Sequence, residues 1–308
     1  MTDALPSYSK IFHLGHRILD GILQGAPLAV EEKIDGSQFS FGVRGGKLHM
    51  RSKRIAIHGM DDAPNLFQPT VRHVIACFEE GLLVEGWTYR GEALHAPRHN
   101  TLTYARAPLG NLVLFDVDMG IERYASPTER AQIAHDLGVE AVRVLGSGGP
   151  ALAAEAAVRA FLANTSQLGG AIIEGVVIKP QEAICGPDGK RLIAKFVSEA
   201  FKETHSKEYV PGTIPKADIV ATIAASLATP ARWQKSVQRL RDEGKLKESP
   251  EDIGPLIAEV KGDVLSECED EIKDMLYASY KKQLVGMSTR GLPEWYKEQL
   301  AFGGAHGA

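Results

Sequence analysis

The chain has 308 residues, 44% of them hydrophobic and 24% charged, which is ordinary for a globular protein of one large domain or two. Its formal net charge of -4 excludes a chain that coats nucleic acid by bulk positive charge, so phosphate binding would need a local patch. Cys77, Cys185 and Cys268 lie far apart, with no CxxC pair and no histidine at zinc spacing, which argues for a reducing compartment and against structural zinc. No stretch reaches the ~18 apolar residues of a membrane span, and no basic segment followed by an apolar core opens the sequence. The expectation is a cytoplasmic protein without a membrane partner.

From Ala26 to about Lys202, short apolar runs alternate with glycine-rich or polar punctuation. Leu28–Val30, Gln38–Val43, Lys47–Arg51, Leu82–Gly86, Leu112–Val117, Ala171–Lys179 and Leu192–Val197 have the length and composition of strands. Helical patterns interrupt them at Asn65–Glu80, Ser126–Leu137 and Pro150–Ala163. Ser126-Pro127 followed by Glu129 marks a helix start, with serine as cap and proline in the first turn. The basic residues Arg44, Lys47, Arg51, Lys53 and Arg54 could line one strand face and meet phosphate, or form an ordinary charged strand edge. After Pro211 the strand pattern stops. Pro215–Leu227, Thr229–Glu243, Ser249–Gln283 and Leu292–Leu300 all read as helices, with starts at Thr229-Pro230 and Ser249-Pro250. Leu256, Ile257, Val260, Val264, Ile272, Met275, Leu276 and Ser279 form an apolar stripe whose simplest role is a helical core. The expected fold is α+β, an antiparallel-sheet core over residues 1–205 followed by an all-helical domain over 212–308.

Chemistry concentrates in six segments that follow one another. They are Glu31-Glu32-Lys33-Ile34-Asp35-Gly36-Ser37-Gln38, Arg51-Ser52-Lys53-Arg54, Tyr89-Arg90-Gly91-Glu92, Leu112-Val113-Leu114-Phe115-Asp116, Glu174-Gly175-Val176-Val177-Ile178-Lys179-Pro180 and Arg191-Leu192-Ile193-Ala194-Lys195-Phe196. Each alone is common; six in this order are specific. The series resembles the covalent nucleotidyltransferases, the superfamily of DNA ligases, RNA ligases and capping enzymes, over about residues 26–203. Within it the chain looks most like the RNA ligase 2 family, which includes the RNA-editing ligases.

The resemblance implies a nucleotidyltransferase core of the ATP-grasp-like ligase kind, ATP with Mg²⁺ or Mn²⁺ as cofactors, and RNA as partner, with an RNA–DNA hybrid or nicked duplex as variants. It also implies roles. Lys33 is the nucleophile that carries AMP. Glu32, Arg54, Glu92, Phe115 and Lys195 join it in holding the nucleotide, with Phe115 stacking on adenine and Glu92 on the ribose. Glu92 and Glu174 are the metal carboxylates, and Asp35, Gln38, Lys53 and Lys179 give support. A lysine with the ordinary pKa of about 10.4 is neutral in roughly one molecule in a thousand near pH 7.4. The expectation is that Lys53, Arg54, Lys195 and the metal depress that value. One departure stands out. The family's second lysine, two positions beyond Lys195, is here Val197, so either Lys190, Arg191 or Lys202 substitutes or this subgroup manages with one lysine. The competing readings are a DNA ligase, a capping-type enzyme and a catalytically dead nucleic-acid-binding relative. A DNA ligase or capping enzyme would append a five-stranded β-barrel, which the helical C-terminal third does not match.

Overall fold

The computed structural model describes residues 5–19, 22–120, 123–186, 191–198 and 219–303. The expected domain boundary near residues 205–212, the start of the first C-terminal helix, Lys190 and Lys202 lie outside them. The chain forms two compact units, Met1–Phe201 with Gln238–Leu246, and Lys202–Val237 with Lys247–Ala308.

Strand alternation organises the first unit. Along Ser37–Arg44, Phe39, Phe41 and Val43 point to one side, and Gln38 and Ser40 to the other. The apolar side packs with Met50, Tyr89, Leu112 and Leu114 against a helix carrying Val71, Val74 and Cys77. Across the strands, Phe41 stacks on Tyr89 with ring centroids 5.0 Å apart. Fully burying side chains of this size contributes about 1.5–3 kcal/mol each.

The strands are β1 (Phe12–His13), β2 (Leu28–Lys33), β3 (Ser37–Arg44), β4 (Lys47–Ser52), β5 (Ala56–Ile57), β6 (Thr88–Ala93), β7 (Leu112–Asp118), β8 (Glu140–Ala141), β9 (Val144–Gly148), β10 (Gly175–Pro180) and β11 (Ala194–Val197). They form two sheets rather than one, in the orders β1-β11-β10-β2-β9 and β5-β4-β3-β6-β7-β8. Both are antiparallel except for the β1–β11 and β7–β8 pairs. The chain passes between the sheets at Ile34–Gly36, linking β2 to β3, and again at Val142–Arg143, linking β8 to β9.

The helices of this part are α1 (Ile22–Gly25), α2 (Gln68–Glu79), α3 (Pro127–Asp136) and α4 (Glu155–Phe161). Ser126 and Glu129 form the capping box that starts α3. Leu82–Gly86, expected as a strand, is a turn region. Gly81 and Gly86 adopt φ of +73° and +86°, and Leu82 and Val84 are exposed, so neither pleat nor burial supports a strand.

The C-terminal part holds α5 (Ile219–Leu227), α6 (Pro230–Asp242), α7 (Ile253–Ser288) and α8 (Leu292–Gly303). Ile219, Ile223 and Leu227 pack with Val264, Cys268, Ile272, Met275 and Leu276, so the central part of the expected stripe is core while Ile257 stays exposed. Inside this unit Arg232 pairs with the buried Asp263. Among the described residues no helix is long and apolar enough to cross a membrane.

Candidate active site

Lys33 is the last residue of β2, and only three residues separate it from β3, so it stands where the chain crosses from one sheet to the other. The crossing is close because Gly36 has no side chain. A Cβ there would lie 3.0 Å from Glu92 Cβ, Ala93 O and Leu94 Cδ1. Glu92 on β6 is thereby brought against the Lys33 turn. Residues 95–104 hold that turn from outside. Asp35 Oδ2 accepts from the Thr101 and Leu102 amides at 2.8 and 2.7 Å, and Asn100 Nδ2 donates to Gly36 O at 2.7 Å. The Asp35 amide donates to Tyr104 OH, and His99 Nε2 lies 2.9 Å from Ser37 Oγ. Burial and the neighbouring His95 push His99 down to about 4, so it is neutral at physiological pH.

Glu174 immediately precedes β10, whose first residue, Gly175, pairs with Lys33. Lys33 Nζ donates to both Glu174 carboxylate oxygens, at 2.7 and 2.6 Å. The register also puts Glu31, Val177 and Lys195 in line across three strands, on the same face as Lys33. Gln38 faces Glu92 across β3 and β6. Glu32 is turned the other way by alternation. Its buried carboxylate accepts from the Gln167 amide at 2.9 Å and from Ser166 Oγ, and pairs with Arg143 at 3.2 Å. Arg54 is exposed on the turn after β4, where its amide donates to Ser52 Oγ. Lys53 beside it lies near enough to Glu92 to favour that carboxylate's charge.

The protein's own groups keep Lys33 protonated. Burial opposes the Lys33 ammonium, but Glu174, Glu92 and Asp35 together outweigh burial, so the pKa stands above its ordinary value. Lys53, Arg54 and Lys195 alone therefore do not bring about the expected depression, which also counted on the metal. Glu92 shifts too. Burial first, then repulsion from Glu174 and Asp35, push it up to about 8 despite Lys33 and Lys53. A carboxyl raised this way binds its proton more tightly when folded. Its contribution to stability is complete below about pH 4.5, its ordinary value, and is lost as pH rises through about 8. In metal-free buffer the melting temperature should therefore fall across that window, and Glu92→Gln should flatten the fall. An unchanged slope in the variant would refute the assignment.

A second charged group lies further along the same face. Lys179 Nζ sits 2.8 Å from Glu31 and 3.8 Å from Asp116, and donates to Phe115 O at 2.7 Å. Arg130 reaches Glu31 at 2.7 Å and the same carbonyl at 3.0 Å, while Arg191 holds both Asp116 oxygens at 2.9 and 2.8 Å. All five side chains are buried. Burial would raise Asp116, but Lys179 and Arg191 hold it down at about 2. This network fastens β2 and β10 to β7. It engages the Arg191 guanidinium internally with Asp116, and ties Lys179 on β10 to β2 and β7. Phe115 packs beside Ile34, Leu94, Tyr104 and Val142 and is half-buried. Sequence patterns do not single out Arg130, or Tyr8, whose hydroxyl donates to Asp116 at 2.7 Å. Neither has a spacing that sets it apart from a surface residue.

The basic run Arg44–Arg54 meets the phosphate expectation only in part. Arg44, Lys47 and Arg51 do share a face by register, but two of them are taken up by the protein. Arg44 donates to Val43 O, Trp87 O and Thr88 Oγ1, and Arg51 to Leu5 O, Ser52 O and Lys53 O.

With this geometry in place, comparison with known proteins is informative. The family model described as RNA ligase matches residues 26–197, more than half of the chain. The chain belongs to the RNA ligase family. The matched span begins two residues before β2 and ends with β11, so the family segment covers every strand of both sheets except β1, and all six motif segments. Among solved structures, a Naegleria gruberi RNA ligase with pyrophosphate is 19% identical with a TM-score of 0.48, covering 66% of this chain and 59% of that one. A mutant of the Naegleria ligase with ATP and Mn is 18% identical with a TM-score of 0.48, covering 64% and 57%. Another mutant, with AMP and Mn, is 17% identical with a TM-score of 0.47, covering 64% and 58%. The chain thus spans less than two thirds of the length of these ligases. No curated protein matches.

Proposed function

We propose that this member of the RNA ligase family is an ATP-dependent enzyme that joins a 3′-hydroxyl to a 5′-phosphate of RNA through a lysyl-AMP on Lys33. The observation that carries the reading is the Lys33 amine at the crossing between the sheets, bonded to Glu174 with Glu92 beside it. Lysine Nζ attacks the α-phosphorus of ATP, a P–N bond forms, the bridging P–O bond breaks and pyrophosphate leaves. The AMP then passes to the 5′-phosphate, breaking the P–N bond, and the 3′-hydroxyl attacks that phosphate and releases AMP. All three steps are phosphoryl transfers governed by positioning and charge.

The residues divide this work. Glu174 and the Lys33 turn hold Nζ in one place, and residues 95–104 keep the turn fixed. Phe115 offers its ring for the base, Glu92 and Gln38 offer polar groups opposite each other, and Lys195 faces the phosphates from β11. Lys53 and Arg54 lie on the exposed turn after β4 and are assigned to the triphosphate or the RNA end. Glu32 is assigned to holding the Ser166–Gln167 loop, and Lys179 and Asp35 to positioning.

The two carboxylates fit a divalent cation. Burial, with repulsion from Glu174 added, raises Glu92, a proton a cation could displace, and carboxylate oxygen suits Mg²⁺ or Mn²⁺. Among the described residues no group of three or more His, Cys, Asp or Glu could hold a metal ion, so phosphate and water oxygens would complete the shell. When bound, such a cation adds positive charge beside Nζ and counters the carboxylates that keep the amine protonated.

The experiment is end joining on nicked and single-stranded substrates carrying every combination of RNA and DNA termini. Sealing that requires ATP and an RNA 3′-hydroxyl end is expected. Equal or better sealing of all-DNA ends would make it a DNA ligase, and no AMP uptake at all would make it a dead relative.

A further inference from the structure

The segment before the family match is built into the candidate site. Residues 5–13 cross the polar side of the six-stranded sheet and end on the other sheet. Leu5 O accepts from Arg51 on β4 at 3.0 Å, and Pro6 O from Arg90 on β6 at 3.1 Å. Tyr8 reaches Asp116 on β7, Ser9 Oγ accepts from the Arg191 amide at 3.1 Å, and β1 then pairs in parallel with β11 at Ala194 and Lys195. One strap therefore touches three strands of one sheet and the edge of the other.

Tyr8 is its centre. Its ring lies 5.2 Å from that of Phe115, tilted by 59°, a favourable aromatic geometry. The Arg90 guanidinium also sits over the Tyr8 ring, 5.2 Å from its centroid. Phe115 is thus fixed through its carbonyl by Lys179 and Arg130, and through its ring by Tyr8. The backbone bonds hold the strand; the ring itself meets Tyr8, the Lys179 ammonium 5.7 Å from its centroid and the apolar cluster around Ile34 and Leu94, and Tyr8 is its aromatic partner.

We propose that Tyr8 is a positioning residue for nucleotide selection, acting through Phe115 and anchored by Asp116 and Arg90. This rests on the reading of Phe115 as the base-stacking residue. Losing one aromatic pair weakens base binding by about two- to ten-fold. The loss falls on the KM for ATP and not on the rate at saturation, because the phosphates and Lys33 are untouched.

The test measures lysyl-AMP formation by the full chain with ATP and with CTP, whose smaller base stacks less. The variants are Tyr8→Leu, Tyr8→Phe, Phe115→Leu and the double Tyr8→Leu/Phe115→Leu, each checked by thermal melting. Tyr8→Leu should raise KM for ATP by about two- to ten-fold, keep kcat, and reduce the preference for ATP over CTP. Tyr8→Phe, which keeps the ring, should stay closer to the parent. The double variant should be no worse than Phe115→Leu alone, since the two residues act as one unit. Parent KM and base preference in folded Tyr8→Leu would overturn the proposal, as would additive losses in the double. If Phe115→Leu itself leaves KM unchanged, the stacking role of Phe115 has failed instead. If Tyr8→Leu does not fold, Tyr8→Phe decides: a lowered kcat with KM and base preference at parent values would overturn it.

Discussion

Glu174→Gln is expected to cut lysyl-AMP formation by at least about ten-fold, or roughly 1.4 kcal/mol of transition-state stabilisation. The amide keeps the size of the side chain, and its carbonyl can still accept from Lys33 Nζ, so loss of the fold would not explain the defect. What it removes is negative charge. That charge is the main reason the Lys33 pKa stands above its ordinary value, so the variant's residual activity should show an optimum at lower pH than the parent's. The measurement is single-turnover adenylylation from ATP across pH with Mg²⁺ or Mn²⁺ present. Undiminished activity would remove Glu174 from the chemistry. A large loss with an unshifted optimum would mean that another group sets the protonation state of Lys33.

Gly175→Ala should be nearly as damaging, for a steric reason. A Cβ at residue 175 would lie 2.4 Å from Phe196 O and 2.8 Å from Val197 Cα, both backbone atoms that move only with β11. The strand must shift, and Gly175 is the residue that pairs with both Lys33 and Val197. Overpacking of this kind costs about 1–3 kcal/mol, and here it also displaces Glu174 from Nζ. A lower urea midpoint together with loss of AMP uptake is expected. Parent stability would show that the β10–β11 pairing is looser than the register implies.

The same pairing explains what the sequence made legible. Lys33, Glu92, Glu174 and Lys195 come from four separate segments, and the resemblance of the ordered series implied a shared site; the pairing of β2 and β11 with β10 brings three of them together, and the close crossing at Gly36 adds Glu92. Helix starts were readable at Ser126, Thr229 and Ser249 because capping is local chemistry. Ser126 and Ser249 form capping boxes, and the Arg232 amide donates to Thr229 Oγ1. The division into two sheets was not readable. It depends on which strands pair after the chain crosses at Gly36, a long-range choice that apolar alternation does not encode.

Charge was the poorest guide. Lys179 and Arg191 look like cations free to meet phosphate, yet both are buried against carboxylates whose positions only the fold reveals. The balance of charges that the protein itself places around Lys33 is hidden for the same reason. The sequence holds cations and carboxylates nearby without saying which approaches Nζ, and Glu174, 141 residues away along the chain, proves nearest. Glu32 is the exception, because alternation along Glu31-Glu32-Lys33 suffices to turn it to the opposite face from Lys33.

The most direct test of the account locates the nucleotide. The full chain is incubated with ATP and a divalent cation, denatured, digested under conditions that preserve a phosphoramidate, and its peptides are mapped by mass spectrometry. The account predicts a single AMP on the peptide containing Lys33, absent from Lys33→Ala and released when an RNA 5′-phosphate end is supplied before denaturation. AMP on any other residue, or labelling that survives in Lys33→Ala, would contradict it.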